Sequence, residues 1–588
     1  MRFEEKRFKK LFEGSSSYYR VPAYQRAYEW DIAERRKRNQ VKEFWEDLNE
    51  FIESNSDFPM GNIIIFKNGD EHEVVDGQQR LTTSVILIKS IIDRIEKFEY
   101  ERIAKELKEK YVIFQEKDYK RIKFRPQEYD SNFWDDFIVY GKNNRDPETP
   151  SQKRIRDAKE FFDKNLQNLP FEEIDKIREK IENSLLGIIE LTDKKEASSI
   201  FELQNDRGKA LTNLDKIKAF FMHQIFVCNG SEEDIKYIYR EFQDIYKIIN
   251  SPNFPDEDDI FLYHIQAHTE LRYNYREISQ VKNLVKNKEI GQRINFIKEF
   301  SKELNQSFKA IQSFLNDNQE NSCYLKDLER FRFAFAYPFI IKAYKFFKED
   351  IDKLKKFLEY LEKVIFVHNI TFTRADINSR LNEFLKKFNK NIDIDNFFYE
   401  IFKKLSEESY WKDSTVKNVL NGYMYNNLTR YVLKRYEIYL RRESKEGYPE
   451  DLICRMDIYK GDEKERTGWW IEHIAPEAEN TEEDSGYDKY DEDFINNYLH
   501  SIGNLLLTSD KHNISLGNEK FSIKIASYKK SSMFHHKKIE DFVTDNKWTK
   551  ESIRKRRDKI IEFVLNEWGL EHNLSRICNT KGEKNGSD

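Results

Sequence analysis

Between about residues 153 and 440 the chain offers almost nothing that would stop a helix. IDKIREKIENSL (174–185), LDKIKAFFMHQIF (214–226) and IDKLKKFLEYLEKVIF (351–366) repeat apolar residues at three and four positions, the spacing that puts one apolar stripe on an α-helix. The whole sequence of 588 residues holds only 19 Gly and 11 Pro, so long helices are the expected fabric. There is no fixed-period repeat that would make them a solenoid. The 45 Phe and 32 Tyr predict aromatic cores. Such a length is enough for about three domains.

The remaining composition excludes several classes. With 39% hydrophobic and 35% charged residues, the chain reads as a globular protein with polar helical faces. The four cysteines, Cys228, Cys323, Cys454 and Cys578, form no CxxC pair. That argues against a disulfide framework or zinc ribbon and fits a reducing cytosol. MRFEEKRFKKLFEG at the start lacks an apolar core for a signal peptide, and no run of 18 apolar residues exists to span a membrane. A cytoplasmic location follows as the expectation. The formal net charge is −5, so contact with nucleic acid has to come from a local patch.

The first 150 residues break the helical pattern. NIIIF (62–66) and HEVV (72–75) read as paired strands around an Asn68-Gly69 turn, and LTTSVILIKSIIDRIEKF (81–98) follows as a helix. Between them lies DGQQR (76–80). A helix N-terminus presents unpaired N–H groups and partial positive charge, which suits an anion. Gly77 allows close backbone approach, Arg80 adds a fork for phosphate, and Asp76 can hold a metal or orient a water. Upstream, YRVPAYQRAYEW (19–30) interleaves Arg20 and Arg26 with aromatic residues. Downstream, FELQNDRGKALTNLDKIKAFF (201–221) contains a turn at 205–208, then Thr212 as a helix cap with Asp215 at the third position.

The last third carries a second constellation. WWIEHIAPE (469–477) sets Glu472 beside His473. HSIGNLLLTSDKHNISLGNEKF (500–521) then supplies Asn504 before an apolar run and Asn513 nine residues later. This order resembles that of a ββα-metal nuclease. Phosphodiester hydrolysis needs a base working near neutral pH, for which imidazole is suited. It also needs a divalent cation on the phosphate, for which carboxylate and amide oxygens are suited. Residues 477–493 between the two motifs carry nine acids against one lysine, while residues 520–560 carry thirteen Lys/Arg against five Asp/Glu. The acidic run would repel DNA unless it folds away. The basic one includes IRKRRDKI (553–560), where Arg554 and Arg557 stand one helical turn apart. His264 and His268, also one turn apart in LYHIQAHTE, lack a third ligand and read as structural.

VPxYQRxYxW with DGQQRLTT resembles the ParB/sulfiredoxin-like domain of GmrSD-type modification-dependent restriction proteins, and residues 201–221 resemble that domain's third element. EHIxP followed by GNLxLL and an Asn resembles the HNH domain that closes many bacterial defence proteins. The resemblance implies an α+β, predominantly helical chain. A ParB/sulfiredoxin-like α/β domain with a helical extension would occupy 1–225, a helical connector 226–440, an HNH nuclease domain 441–572 and a disordered tail 573–588. It implies that His473 is the general base, that Asn504 completes the catalytic set by orienting the histidine loop, and that Glu472 and Asn513 bind Mg²⁺ or Mn²⁺. Asp76, Gly77, Gln78, Gln79 and Arg80, with Arg26 and Arg207 in support, would bind and hydrolyse a nucleoside triphosphate. Lys520, beside Asn518, and Arg554 and Arg557 would track a DNA backbone. The implied protein is a nucleotide-regulated, metal-dependent bacterial endonuclease acting on modified, double-stranded phage DNA, with no membrane partner and with a homodimer open to it. Two alternatives share these motifs: a nucleotide-switched DNA-binding protein whose HNH domain does not cut, and a nickase that senses phosphorothioate.

Overall fold

The structure is a computed structural model that describes all residues except 1, 14–17, 23–24, 26, 33–38, 55, 70, 117–118, 143–145, 192–211, 250–253, 269–277, 319, 445–468, 510–516 and 585–588. Its chain is α+β and predominantly helical, as expected. Two compact units are present, one made of residues 1–262 with 274–309, the other of 263–273 with 310–588. The helices expected as a separate connector are divided between these units. Among the described residues no helix is long and apolar enough to cross a membrane.

The first unit is built on a six-stranded mixed sheet. Its strands are β1 (Arg2–Arg7), β2 (Tyr18–Arg20), β3 (Pro59–Asn68), β4 (Glu71–Asp76), β7 (Phe124–Arg125) and β8 (Leu185–Leu191), in the order β1-β8-β3-β4-β2-β7. A separate two-stranded ribbon pairs β5 (Ile113–Glu116) with β6 (Tyr119–Ile122). β3 and β4 form the antiparallel hairpin expected from the sequence, turning at Gly69 with φ +61°. Ile63, Ile64 and Ile65 are all buried, which is why this strand reads as an unbroken apolar run rather than an alternating one.

Helix α1 (Gln78–Glu96) leaves β4 directly and is buried almost all round from Leu81 to Ile92. A helix so enclosed must satisfy its own polar atoms. Thr82, Thr83 and Ser84 do this by donating to the carbonyls of Gln78, Gln79 and Arg80, at 2.7, 2.9 and 2.8 Å. Helix α2 (Pro150–Leu166) packs along it. Helix α3 (Asn213–Val227) opens at Thr212, whose hydroxyl accepts from Asp215 N at 3.3 Å, the cap read from the sequence.

In the second unit, helices α4 (Ile351–Ile370), α5 (Asn427–Glu443) and α7 (Lys550–Trp568) meet around a buried carboxylate. Glu362 accepts from Tyr431, from Arg435 at 2.7 Å and from Trp568 Nε1 at 2.7 Å. Trp568 also stacks on Phe366 with ring centroids 4.0 Å apart. The aromatic core expected from composition is formed by Phe347, Phe357, Phe388, Phe397 and Phe398. A two-stranded antiparallel hairpin, β9 (Trp469–His473) with β10 (Leu505–Ser509), and helix α6 (Phe521–Lys529) carry the second set of motifs.

The tail expected to be disordered from residue 573 instead continues helix α8 (Leu570–Lys584). Leu570 and Ile577 are buried, and Asp413 accepts the N–H groups of Glu571 and His572 at 3.3 and 3.1 Å. Buried anchors and a capped first turn outweigh its polar composition.

Candidate functional site

In the first unit, β4 ends at the exposed Asp76. The chain then turns at Gly77 with φ +83°. A Cβ there would stand 2.9 Å from Ile63 Cγ1 and 3.1 Å from Asn62 O, so both conformation and space require glycine. The DGQQR and VPAYQRAYEW segments interlock. Gln79 donates to Ala27 O and accepts from Glu29 N, both at 2.8 Å. Tyr28 OH meets Thr83 Oγ1 at 2.8 Å, and Gln25 donates to Val75 O. The third segment joins through Lys218, which donates to Gln25 O at 3.0 Å. The three motifs therefore converge, although Arg26 and Arg207 lie outside the described residues.

Two glutamines and an arginine expected to face phosphate are turned inward. Gln78 and Gln79 are buried, and Arg80 donates to Met60 O and to Asn62 O, the latter at 3.1 Å. A Cβ on Gly61 would strike that guanidinium, so Gly61 and Arg80 are a fitted pair. As placed, Arg80 staples the start of α1 to β3.

Sequence reading passed over the ionisable cluster behind these motifs. Burial pushes the Lys218 ammonium down to about 8, with Asp215 and Asp130 opposing. Burial raises Asp130 to about 6 against hydrogen bonds from Ser151 and Thr149, and raises Glu257 to about 7 with Asp215 adding to it. Groups perturbed by burial and by one another cluster at functional sites. The available signal was Lys218 itself, a lysine in the middle of an apolar helix.

In the second unit the site is built on the β9–β10 hairpin. Register pairs Leu505 with His473 and Leu506 with Glu472. Asn504 is wholly buried. Its oxygen accepts from Ala475 N at 2.8 Å and Trp548 Nε1 at 2.9 Å, and its nitrogen donates to Ala475 O at 3.0 Å and Leu499 O at 2.8 Å. With all its hydrogen-bonding capacity used, Asn504 fixes the loop after His473 and does not itself reach a substrate. Arg556 clamps the same corner from α7, donating to the carbonyls of Ile502, Gly503 and Leu505 at 3.2, 2.8 and 2.9 Å.

Successive residues of a strand point to opposite faces, and the two key side chains of β9 have different surroundings. Glu472 Oε1 accepts from Lys524 at 3.3 Å and from Tyr528 OH at 3.2 Å. Burial raises its pKa, with Lys524 opposing. Its Oε2 is buried with no hydrogen-bond partner among the described residues. That second oxygen fits a divalent cation, while Lys524 already supplies positive charge to the first. Asn513, the other expected ligand, lies outside the described residues.

His473 faces the other way. Its Nε2 lies 3.0 Å from His500 Nδ1, its Nδ1 lies 3.8 Å from Glu477 Oε1, and Tyr425 stands against its ring at 4.8 Å. Burial, then His500 and Lys524, pushes its pKa down to about 3, so at neutral pH the ring is uncharged. His500 and Glu477 were not singled out from the sequence. His500 is 27 residues from His473 and only the hairpin brings them together.

The acidic insert folds onto the unit. Lys520, expected on DNA, meets Glu482 and Asp484 at 2.7 and 2.6 Å. Lys550 meets Asp491 and Asp493 at 2.8 and 2.7 Å. Tyr490 donates to Pro476 O at 2.5 Å. Arg554 is half exposed and pairs with Glu551 at 2.7 Å, whereas the side chain of Arg557 is only 16% exposed. Of the three cations expected on DNA, Arg554 is the most exposed, and it too is paired with an acid.

Residues 8–222 match the N-terminal domain of the GmrSD restriction endonucleases, and residues 418–563 match the C-terminal domain of the same enzymes. The two matches together span more than half of the chain. No curated protein matches it.

Proposed function

Because the chain belongs to the GmrSD restriction endonuclease family, and so is a DNA endonuclease of restriction defence, we propose that its cutting site is the β9–β10 hairpin with His473 as the base. The proposal extends to an HNH-type, metal-dependent reaction on modified phage DNA, governed by nucleotide at the DGQQR domain. The observation that carries it is the Asn504 clamp. A buried amide spends two of its four hydrogen bonds on Ala475, two residues after His473, and the other two tie that loop to Leu499 and Trp548, with Arg556 clamping the same corner. Such preorganisation is what a positioned base requires.

In this reading His473 takes a proton from the attacking water. Its uncharged ring is in the accepting form, and the negative charge carried by the phosphate oxygens beside it raises its basicity as the reaction proceeds. A divalent cation held by Glu472, with Asn513, would neutralise the phosphate and stabilise the departing oxygen. Lys524 keeps the Glu472 carboxylate in place. In the first domain, Asp76, Gly77 and the start of α1 would receive the triphosphate, with Lys218 beneath the motif and Arg80 holding the turn in shape. Bacterial cytoplasm is the compartment this activity calls for.

The test is cleavage of unmodified plasmid and of modified phage DNA with Mg²⁺ or Mn²⁺, with and without each nucleoside triphosphate. Cutting confined to modified DNA is the expected result. His473→Ala should lower cutting by about 10³-fold or more while leaving triphosphate hydrolysis intact. Persistent cutting by that variant would show that another group is the base. Triphosphate hydrolysis by the native protein with no cutting under either metal would leave a nucleotide-switched DNA-binding protein as the better reading.

A further inference from the structure

We propose that His473, His500 and Glu477 form a binding site for a zinc-type transition-metal ion, and that filling it silences the imidazole used in cleavage. The second half rests on His473 being the base. The first half does not.

Each of the three residues offers one ligand atom, and these atoms lie within 4.8 Å of one another. His473 Nε2 and His500 Nδ1 are 3.0 Å apart. Two nitrogens bound to one tetrahedral zinc stand about 3.3 Å apart, from Zn–N lengths of about 2.0–2.1 Å. The two rings meet edge to face, at 78° with centroids 5.0 Å apart, so their nitrogens converge rather than their faces stacking. The Glu477 side chain is 57% exposed and has room to turn onto an ion that both imidazoles already hold.

The backbone keeps the two imidazoles, and the chain leading to Glu477, in place. His473 is the last residue of β9, paired with Leu505. Ala475, two residues before Glu477, is held on both sides by Asn504. His500 O accepts from Met424 N at 2.9 Å. Tyr425 against His473 at 4.8 Å and Tyr423 against His500 at 4.9 Å wall the group. Two imidazoles held close before binding, with a carboxylate within reach, leave little ordering for the ion to impose.

The donor set decides the metal. Two imidazoles, one carboxylate and an open fourth position suit zinc, whereas Mg²⁺ prefers six oxygens and keeps its waters. Millimolar Mg²⁺ would therefore not displace zinc here. The site is also distinct from Glu472, which faces Lys524 and Tyr528. Coordination uses the lone pair of His473 that would otherwise accept a proton, so a chain with zinc bound keeps its fold and loses its base.

The test begins without DNA or nucleotide. The full chain, stripped of metal, is titrated with Zn²⁺ against a chromophoric zinc indicator. One zinc per chain is expected, and losing a ligand in His500→Ala or Glu477→Gln should weaken binding by about 10–100-fold or more, at least the loss an outer-shell partner gives. Glu477 is largely exposed, so its variant should fold, and circular dichroism checks both. Zinc failing to compete with the indicator, or binding equally well to both variants, would overturn the site. Plasmid cleavage in Mg²⁺ is then followed as zinc is added. Loss of cutting at one equivalent, restored by a chelator, is expected. Undiminished cutting by a chain with zinc shown at this site would overturn the silencing, whatever the titration gave.

Discussion

Glu437 lies wholly buried on α5 and accepts four hydrogen bonds. They come from Phe534 N at 2.9 Å, His535 N at 2.8 Å, His535 Nδ1 at 2.7 Å and Arg441 Nε at 2.6 Å. Burial alone would raise its pKa, but the hydrogen bonds and charge of His535 prevail and hold it down at about 2. An ordinary glutamate titrates near 4.3, so the folded chain binds this proton less readily than the unfolded one. The stabilisation is complete above the unfolded value and is lost as pH falls from about 4.5 towards 2. Its size is on the order of 3 kcal/mol, at 1.36 kcal/mol per unit. Urea denaturation of Glu437→Gln and the native protein, between pH 7 and pH 3, should give a stability gap that is widest near neutrality and narrows below pH 4.5. A gap that does not change with pH would show that the ionised form contributes nothing special. His535 passes the same restraint on, meeting Leu507 of β10 at 3.1–3.3 Å, so one carboxylate on a helix fixes the edge of the hairpin that carries His473.

Helix α7 lies against the corner before β10 so closely that a Cβ on Gly503 would stand 2.1 Å from Ile553 O and 3.0 Å from Arg557 Cβ. Backbone cannot yield as a side chain can. Gly503→Ala should therefore push α7 away, cost about 1–3 kcal/mol or more, and weaken the Arg556 clamp. A lowered denaturation midpoint together with reduced cutting is the expected pair of results, and an unchanged midpoint would show that the corner is softer than its packing. The sequence shows this glycine only as part of IGN, with nothing to reveal the helix above it, 50 residues later. What was legible had local causes. Asn68-Gly69 between apolar runs predicts the β3–β4 hairpin, Gly77 before QQR predicts the turn into α1, and Thr212 with Asp215 predicts the start of α3. The illegible parts depend on distant partners. His500 becomes notable only once β9 and β10 pair, Arg80 looks like a phosphate fork until Met60 and Asn62 claim it, and α8 reads as tail until Leu570 and Ile577 find a core.

Across the molecule the charge pattern of the C-terminal third is rearranged by folding. In sequence, nine acids at 477–493 precede thirteen cations at 520–560, as if one stretch would repel DNA and the next attract it. In the structure Glu482 and Asp484 lie on Lys520, and Asp491 and Asp493 on Lys550. Replacing Glu482 and Asp484 by Gln and Asn should raise DNA affinity at low salt. It should also steepen the fall of log affinity with log salt by about 0.9 for the one lysine released. An unchanged slope would mean that Lys520 does not meet phosphate. A lysine that arrives already holding a carboxylate has no mobile anion of its own to shed. When it meets phosphate, one fixed anion replaces another, and the gain from setting condensed cations free is offset by an acid left behind that gathers new ones. Association through these lysines then becomes an exchange of partners rather than a discharge of ions, and the share of binding that passes through them depends little on salt.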